Sequence, residues 1–384
     1  MISSPVQNVS DYTRKFGMYT FGIFWFMGCL LATAWAEDWH TAVPDYAWTF
    51  PQDHWAHEKY KTEWWYLTGH LKNEAGREFG YQFTFFRVGV LPGKPVLASD
   101  WAANYLVMGH AAIGDLANGH HIFSEVLYRA TPLLGGFAAY PDTQLAWSRG
   151  PLGTAESWSL SWNGAGFNFV AADRAQKMRI ALRTRAAKNL IFQGPNGYSR
   201  KGTGEAAASQ YYSFTRLVTE GDLTLGEETF SVTGESWMDK EFGSNQLDPG
   251  QTGWDWFSLQ LDDGREVMLY LLRDRSHAVN FSRGTLVSAT GLARVLEQDD
   301  FEVSVTHRWQ SPRTEAIYPA GWTVGIQGET WTIQPVMNDQ ENRGELVGTL
   351  YYWEGAVNVT RAGVKVGKGY VELTGYGSGS VPGL

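Results

Sequence analysis

The sequence predicts an all-β protein of two related β-domains, each a sandwich or a barrel. Three observations carry that expectation: period-two alternation of apolar residues, closely spaced turn signals, and one hairpin pattern that occurs twice. In "EFGYQFTFFR" (78–87), strict alternation puts Phe79, Tyr81, Phe83 and Phe85 on one face of a strand. "FEVSVTHRW" (301–309) and "GYVELTGY" (369–376) alternate in the same way. Turns are marked by Asn73 to Gly76, Asn118-Gly119, Asn196-Gly197 and Asp263-Gly264, and the chain holds 43 glycines. Helical periods are few, with room for a short helix or two near residues 172–188.

The repeated pattern joins "EWWYLTGHLKNEAGREFGYQFTFFR" (63–87) to "GWDWFSLQLDDGREVMLYLLR" (253–273). Each copy has a Trp followed by aromatics and a strand ending in Leu. A turn with Gly-Arg-Glu follows, then an apolar strand that closes on Arg. Two hairpins of one design predict two related β-domains, 37–244 and 245–384.

Residues 1–36 read as an export signal. Arg14 and Lys15 precede the apolar run "FGMYTFGIFWFMGCLLATAWA" (16–36), which ends on Ala34-Trp35-Ala36 before polar "EDWH". Cleavage after Ala36 is the leading expectation, with the product in the periplasm or cell envelope. Two rivals are an uncleaved anchor, since about 18 to 20 apolar residues can span a bilayer, and a lipoprotein at Cys29. Cys29 is the single cysteine, so the chain after the leader has neither disulfides nor a thiol nucleophile.

Composition narrows the function classes. A net charge of −9 without a basic run argues against nucleic acid. The 18 Trp suit an aromatic-lined cavity for a hydrophobic small molecule. No HExxH or comparable spacing points to a metal, even with "GHH" at 119–121, and no GxSxG marks a serine nucleophile. The glycines of "GTGEAAAS" (202–209) lack a strand-to-helix context for a nucleotide, so no cofactor is expected.

The stretch "ESWMDKEFGS" (235–244) mixes acids with large apolar side chains. As a strand it would put Trp237, Asp239 and Glu241 on one face and Met238, Lys240 and Phe242 on the other. Asp239 then has two readings. It is either an acid in an apolar pocket, its pKa raised by desolvation, or a turn carboxylate paired with Lys240, Arg87 or Arg216. In "EWWY" (63–66), Glu63 and Trp65 face one way and Trp64 and Tyr66 the other. Glu63 is either a second carboxylate of the site or the partner of Arg87. Gln210, Tyr211 and Tyr212 are strand residues or hydrogen-bond donors to a ligand's polar tip. Trp254 and Trp256 are expected to line or plug the second barrel.

Six ordered motifs are "TEWWYLTGHL", "YQFTFFR", "ASQYYSFTRL", "GESWMDKEFGS", "GWDWFSLQLDDG" and "GKGYVELTGY". With them the chain resembles the AttH/CrtC-like family of predicted secreted hydrolases and carotenoid 1,2-hydratases (hydroxyneurosporene synthases), over roughly residues 45 to 380. The resemblance implies two tandem lipocalin-like domains with a ligand site between or within them. It also implies an acid at Asp239, where Trp237-Met238-Asp239 stands for the hydratase branch's Tyr-x-Asp. That branch's His-x-Trp pair falls on Gln210 and Tyr212, so the chain is closer to the secreted "EWWY" branch. The candidate catalytic residues are thus Asp239, Tyr212, Gln210 and Trp237. The candidate ligand-binding residues are Glu63, Trp65, Tyr66, Arg87, Glu241, Trp254 and Trp256. The expected activity is acid–base chemistry on an isoprenoid or lipid-like ligand. The rival is a non-catalytic envelope carrier working beside ABC transporter components or at a membrane surface, and a pericyclase-like role is a third reading.

Overall fold

The computed structural model describes residues 38–377 except 94, 96, 97, 205, 246 and 347–349. The leader expected in residues 1–36, with its anchor and lipoprotein rivals, lies outside the described residues. Strand dominates the remainder. The strands up to Asn245 are β1 (Thr62–Asn73), β2 (Glu78–Gly89), β3 (Tyr105–Asp115), β4 (His120–Arg129), β5 (Gly135–Phe137), β6 (Gln144–Arg149), β7 (Ser157–Trp162), β8 (Phe167–Asp173), β9 (Met178–Ala186), β10 (Ile191–Phe192), β11 (Tyr198–Arg200), β12 (Ala208–Leu225) and β13 (Glu228–Asn245). The others are β14 (Gln251–Leu261), β15 (Glu266–Asp274), β16 (Val279–Val287), β17 (Ala293–Leu296), β18 (Phe301–Gln310), β19 (Ile317–Ile326), β20 (Glu329–Pro335), β21 (Glu341–Gly344), β22 (Leu350–Arg361) and β23 (Val364–Leu373). Among the described residues, helix is confined to three 3-10 turns, at Gln52–His54, Pro195–Gly197 and Gln298–Asp300.

The strands form two sheets, one of 13 strands and one of ten. The first runs β4-β3-β2-β1-β13-β12-β9-β8-β7-β6-β5, with β10 and β11 added on β12. Its ends β4 and β5 come together, so it is a nearly closed barrel. The second runs β17-β16-β15-β14-β23-β22-β20-β19-β18, with β21 on β22. In each sheet the first strand pairs with both the second strand and the last: β1 with β2 and β13, and β14 with β15 and β23. The protein is therefore all-β, two lipocalin-like domains in tandem.

The helix allowed near 172–188 is absent. That stretch is the β8–β9 hairpin, in which Met178, Ile180, Leu182 and Thr184 are buried while Arg179, Arg183 and Arg185 are exposed. Alanines and arginines favour a helix locally, but the period of burial is two and tertiary packing decides.

Alternation divides each sheet between an interior and a shared face. Trp65, Leu67, Leu71, Phe79, Tyr81, Phe83 and Phe85 fill the first barrel. Phe257, Leu259, Leu269, Leu271, Trp353 and Val371 fill the second domain. The residues between them in sequence, Tyr66, Trp256, Met268, Tyr270, Ala356 and Tyr370, form a third cluster where the two sheets meet. Close approach there depends on Gly80, since a Cβ on it would stand 2.5 Å from the Tyr370 hydroxyl. Buried polar contacts also bind the sheets. His70 Nε2 lies 2.8 Å from the Gly369 carbonyl, Arg216 pairs with Glu266 at 2.7 Å, and Gln260 donates to the carbonyls of Thr215 and Ser236.

Candidate functional site

A cleft opens in the shared face. Strand pairing explains its lining. Across the first sheet, Ser213 of β12, Asp239 of β13, Tyr66 of β1, Thr84 of β2 and His110 of β3 stand side by side in one cross-strand row. Across the second, Tyr270 of β15, Trp256 of β14, Glu372 of β23 and Glu354 of β22 form the corresponding row. All members but Ser213 and His110 line the cleft. The rows meet where the Tyr66 and Trp256 rings pack edge to face at 5.1 Å.

The repeated hairpin supplies both halves of this wall. Trp64 and Tyr66 come from the first copy, and Trp254 and Trp256 from the second. Trp254 and Trp256, expected to line or plug the second barrel, therefore do neither. Their parity turns them out of it, and Phe257 and Leu259 take the interior.

Asp239 is a strand residue, and its carboxyl is buried against three donors. The Tyr211 hydroxyl donates to Oδ2 at 2.7 Å, and Trp237 Nε1 donates to Oδ1 at 2.7 Å. The Ser213 hydroxyl donates to Oδ1 as well. Burial pushes the carboxyl up to about 7, with Glu241 adding to the rise and the three hydrogen bonds pulling against it. The turn-carboxylate reading fails, because its proposed cations are engaged elsewhere. Lys240 and Arg87 pair with Glu63, and Arg216 with Glu235 and Glu266. Glu241 lines the same cleft, held by Lys201 at 2.8 Å. The Lys201 ammonium also lies over the rings of Tyr211 and Tyr270, at 4.8 and 4.3 Å.

Two further acids of the cleft were not among the sequence candidates. Glu354 and Glu372 stand opposite each other on β22 and β23. Burial raises Glu372 to about 7, Asp239 and Glu241 adding to the rise and a hydrogen bond from Trp254 opposing it. Burial, then the neighbouring Glu372, raises Glu354 well above its ordinary value. Two like charges side by side in an apolar wall hold at least one proton between them. The available signal was a lone acid in an otherwise apolar alternating strand, as in "YVEL" and "YYWEGAV".

The other candidates lie elsewhere, and parity is again the reason. Glu63, Trp65, Gln210 and Tyr212 do not line the cleft, and neither does Arg87. Glu63 sits in a buried ion network, taking hydrogen bonds from Lys240, from Arg87 Nε at 2.9 Å and from the His57 backbone at 2.8 Å, with His57 Nδ1 at 2.6 Å. Burial pushes Glu63 up, but Lys240, His57 and Arg87 together hold it well below the usual carboxylate range. Trp65 packs beneath Lys240, whose Nζ is 3.4 Å from the ring centre. The Tyr212 hydroxyl meets His54 Nδ1 at 2.6 Å, and Gln210 donates to the Val43 carbonyl at 2.6 Å. Trp237 reaches the site through its hydrogen bond to Asp239. Among the described residues no group of three or more His, Cys, Asp and Glu is placed to hold a metal ion, and no helix is long and apolar enough to cross a membrane.

The sequence matches the AttH-like family over residues 41–376. Among solved structures, an AttH-type protein from Nitrosomonas europaea is 32% identical, with a TM-score of 0.76 over 88% of this chain and 99% of that one. Kievitone hydratase from Nectria haematococca shares the fold at 15% identity, with a TM-score of 0.61 over 88% of this chain and 97% of that one. No curated protein shows a significant match. By these similarities the chain belongs to the AttH-like family.

Proposed function

We propose that this member of the AttH-like family binds a lipophilic, isoprenoid-like molecule in the cleft between its sheets and adds water across a carbon–carbon double bond. Asp239 would act as the acid. The carrying observation is a protonatable carboxyl, raised to about 7, in a wall of Trp and Tyr rings. A general acid is most effective when its pKa lies near the working pH.

In the first step the Asp239 O–H bond breaks and a C–H bond forms at the less substituted alkene carbon. The alkene's electron pair makes that bond, leaving a tertiary cation. The rings of Trp254 and Trp256, which line the cleft, would stabilise it. Water attacks the cation, and its proton passes to the Glu372 carboxylate. Glu372 then releases that proton to solvent and Asp239 takes one up, which restores the starting state. The Tyr211 hydroxyl accepts from Trp256 Nε1 and donates to Asp239 Oδ2. That fixed direction leaves the second lone pair of Oδ2 as the seat of the acidic proton.

The hydratase named among the fold relatives supports this reading as a case of the fold used for hydration. The apolar leader of residues 16–36 supports placing the reaction outside the cytoplasm. The test is turnover of purified protein on a panel of isoprenoid alkenes and esters, wild type against Asp239→Asn. Loss of about 10²- to 10⁴-fold is expected for removal of a general acid. Hydration untouched by the substitution sinks the role of Asp239. A lipid retained at one-to-one with no turnover on any panel member identifies a carrier instead.

A further inference from the structure

Resting on the cleft as the ligand site, we propose that the ligand carries a hydroxyl group, recognised by Tyr66, Gln82 and Glu354. These three side chains line the cleft and are 7%, 2% and 1% exposed. Gln82 Oε1 has no hydrogen-bond partner within the protein, and the Tyr66 hydroxyl and the Glu354 carboxyl have only each other. The Gln82 amide nitrogen is already engaged, donating to Thr84 Oγ1 at 2.6 Å, which leaves the carbonyl as its free end.

Buried polar groups are almost always fully paired, so an unpaired amide oxygen beside a Tyr–Glu pair with no other partner, all lining one cavity, marks a place built for a polar ligand group. The contrast within the cleft sharpens this. Asp239 accepts from three donors, whereas Glu354 has the Tyr66 hydroxyl alone. The demand for a partner is therefore confined to these three side chains.

The chemistry of that partner follows from what each atom can do. Gln82 Oε1 only accepts, so the ligand must donate. The Tyr66 hydroxyl both donates and accepts, and so does a protonated Glu354 carboxyl beside Glu372. A ligand hydroxyl meets both demands at one atom. A carbonyl could not donate, and an ammonium could not accept. Tyr66 is the next-strand neighbour of Asp239, and adjacent strands lie about 5 Å apart, so the hydroxyl would bind about 5 to 10 Å from the acid.

The test uses three ligands of one C15 isoprenoid skeleton, the hydrocarbon, its primary alcohol and its primary amine, with affinities measured by equilibrium dialysis. The alcohol is expected to bind at least tenfold more tightly than the other two. Gln82→Met and Glu354→Leu should each bring the alcohol down towards the hydrocarbon while leaving the hydrocarbon unchanged. Glu354→Gln, which can still donate and accept, should keep most of the preference, and thermal unfolding identifies any variant that fails to fold. Equal binding of alcohol and hydrocarbon, tighter binding of the amine, or no binding of the alcohol each overturns the proposal. Because the readout is affinity, the two readings fail separately. Alcohol preference without turnover sinks only the catalytic role, and turnover without preference sinks only the hydroxyl site.

Discussion

The indole N–H of Trp256, on the second sheet, donates to the hydroxyl of Tyr211, on the first, at 3.2 Å. Tyr211 passes the polarity on to Asp239 at 2.7 Å. The acid is thus oriented by a chain of two aromatic side chains that crosses the interface between the domains.

Trp256→Phe keeps a ring in the wall but leaves the Tyr211 hydroxyl free to rotate. A lost hydrogen bond of this kind is worth about 1 kcal/mol, so turnover should fall roughly fivefold, beside a stability loss of about 1 kcal/mol. Steady-state kinetics beside a melting curve checks it. Unchanged kcat would show that the orientation of Tyr211 does not matter to the acid.

Asp239 also leaves a mark on stability. Its folded pKa, about 7, lies above the ordinary value of 3.8, so the native state keeps a proton that the unfolded chain gives up. The unfolded state binds fewer protons between those values, and stability falls as pH rises from about 4 to about 7. Glu372 acts in the same direction. Melting temperature should therefore decline across this window, and Asp239→Asn should make the decline shallower. A slope identical to wild type would place the titration elsewhere.

What the sequence made legible was parity, and what it hid was which side of each barrel holds the chemistry. Alternation correctly put Trp237, Asp239 and Glu241 on one face and separated Glu63 and Trp65 from Trp64 and Tyr66. It could not say that the face of Tyr66 meets a second sheet, because no local pattern distinguishes an exposed face from one covered by another domain. For that reason the expectation that Trp254 and Trp256 line or plug the second barrel fails, while both line the cleft. Glu354 and Glu372 escaped because each is one acid in an apolar strand, and only the β22–β23 register pairs them. The Glu63–Arg87 contact was legible as one of two readings, while the part played by Lys240 needed the β1–β13 pairing.

Tyr212 separates the two possible locations of the chemistry, since it lies inside the first barrel with His54 rather than in the cleft. Tyr212→Phe retains the ring and removes the hydroxyl's hydrogen bonds to His54 and to the Asp53 carbonyl. Turnover should stay within about twofold, at a stability cost of about 1 kcal/mol. A tenfold or greater fall in kcat with normal stability would move the reaction into the barrel.

Glu63 yields the opposite signature to Asp239, a large effect on stability and a small one on turnover. It compensates two buried cations, Lys240 and Arg87. Glu63→Gln keeps the shape and removes the charge, which leaves both cations uncompensated. Breaking a buried pair from one side costs about 3–5 kcal/mol. The pH dependence follows from its depressed pKa. Above the ordinary value of 4.5 the unfolded chain is also ionised there, so Glu63's stabilisation is fully present. It is lost as pH falls through the lower folded value, because the unfolded chain takes up the proton first. Wild-type stability should therefore drop steeply in acid, and Glu63→Gln should flatten that drop while being less stable at every pH above about 4.5. Denaturant melts from pH 3 to 8 report both effects, and kcat per folded molecule should stay near wild type. A variant that melts normally but no longer turns over would return Glu63 to the site.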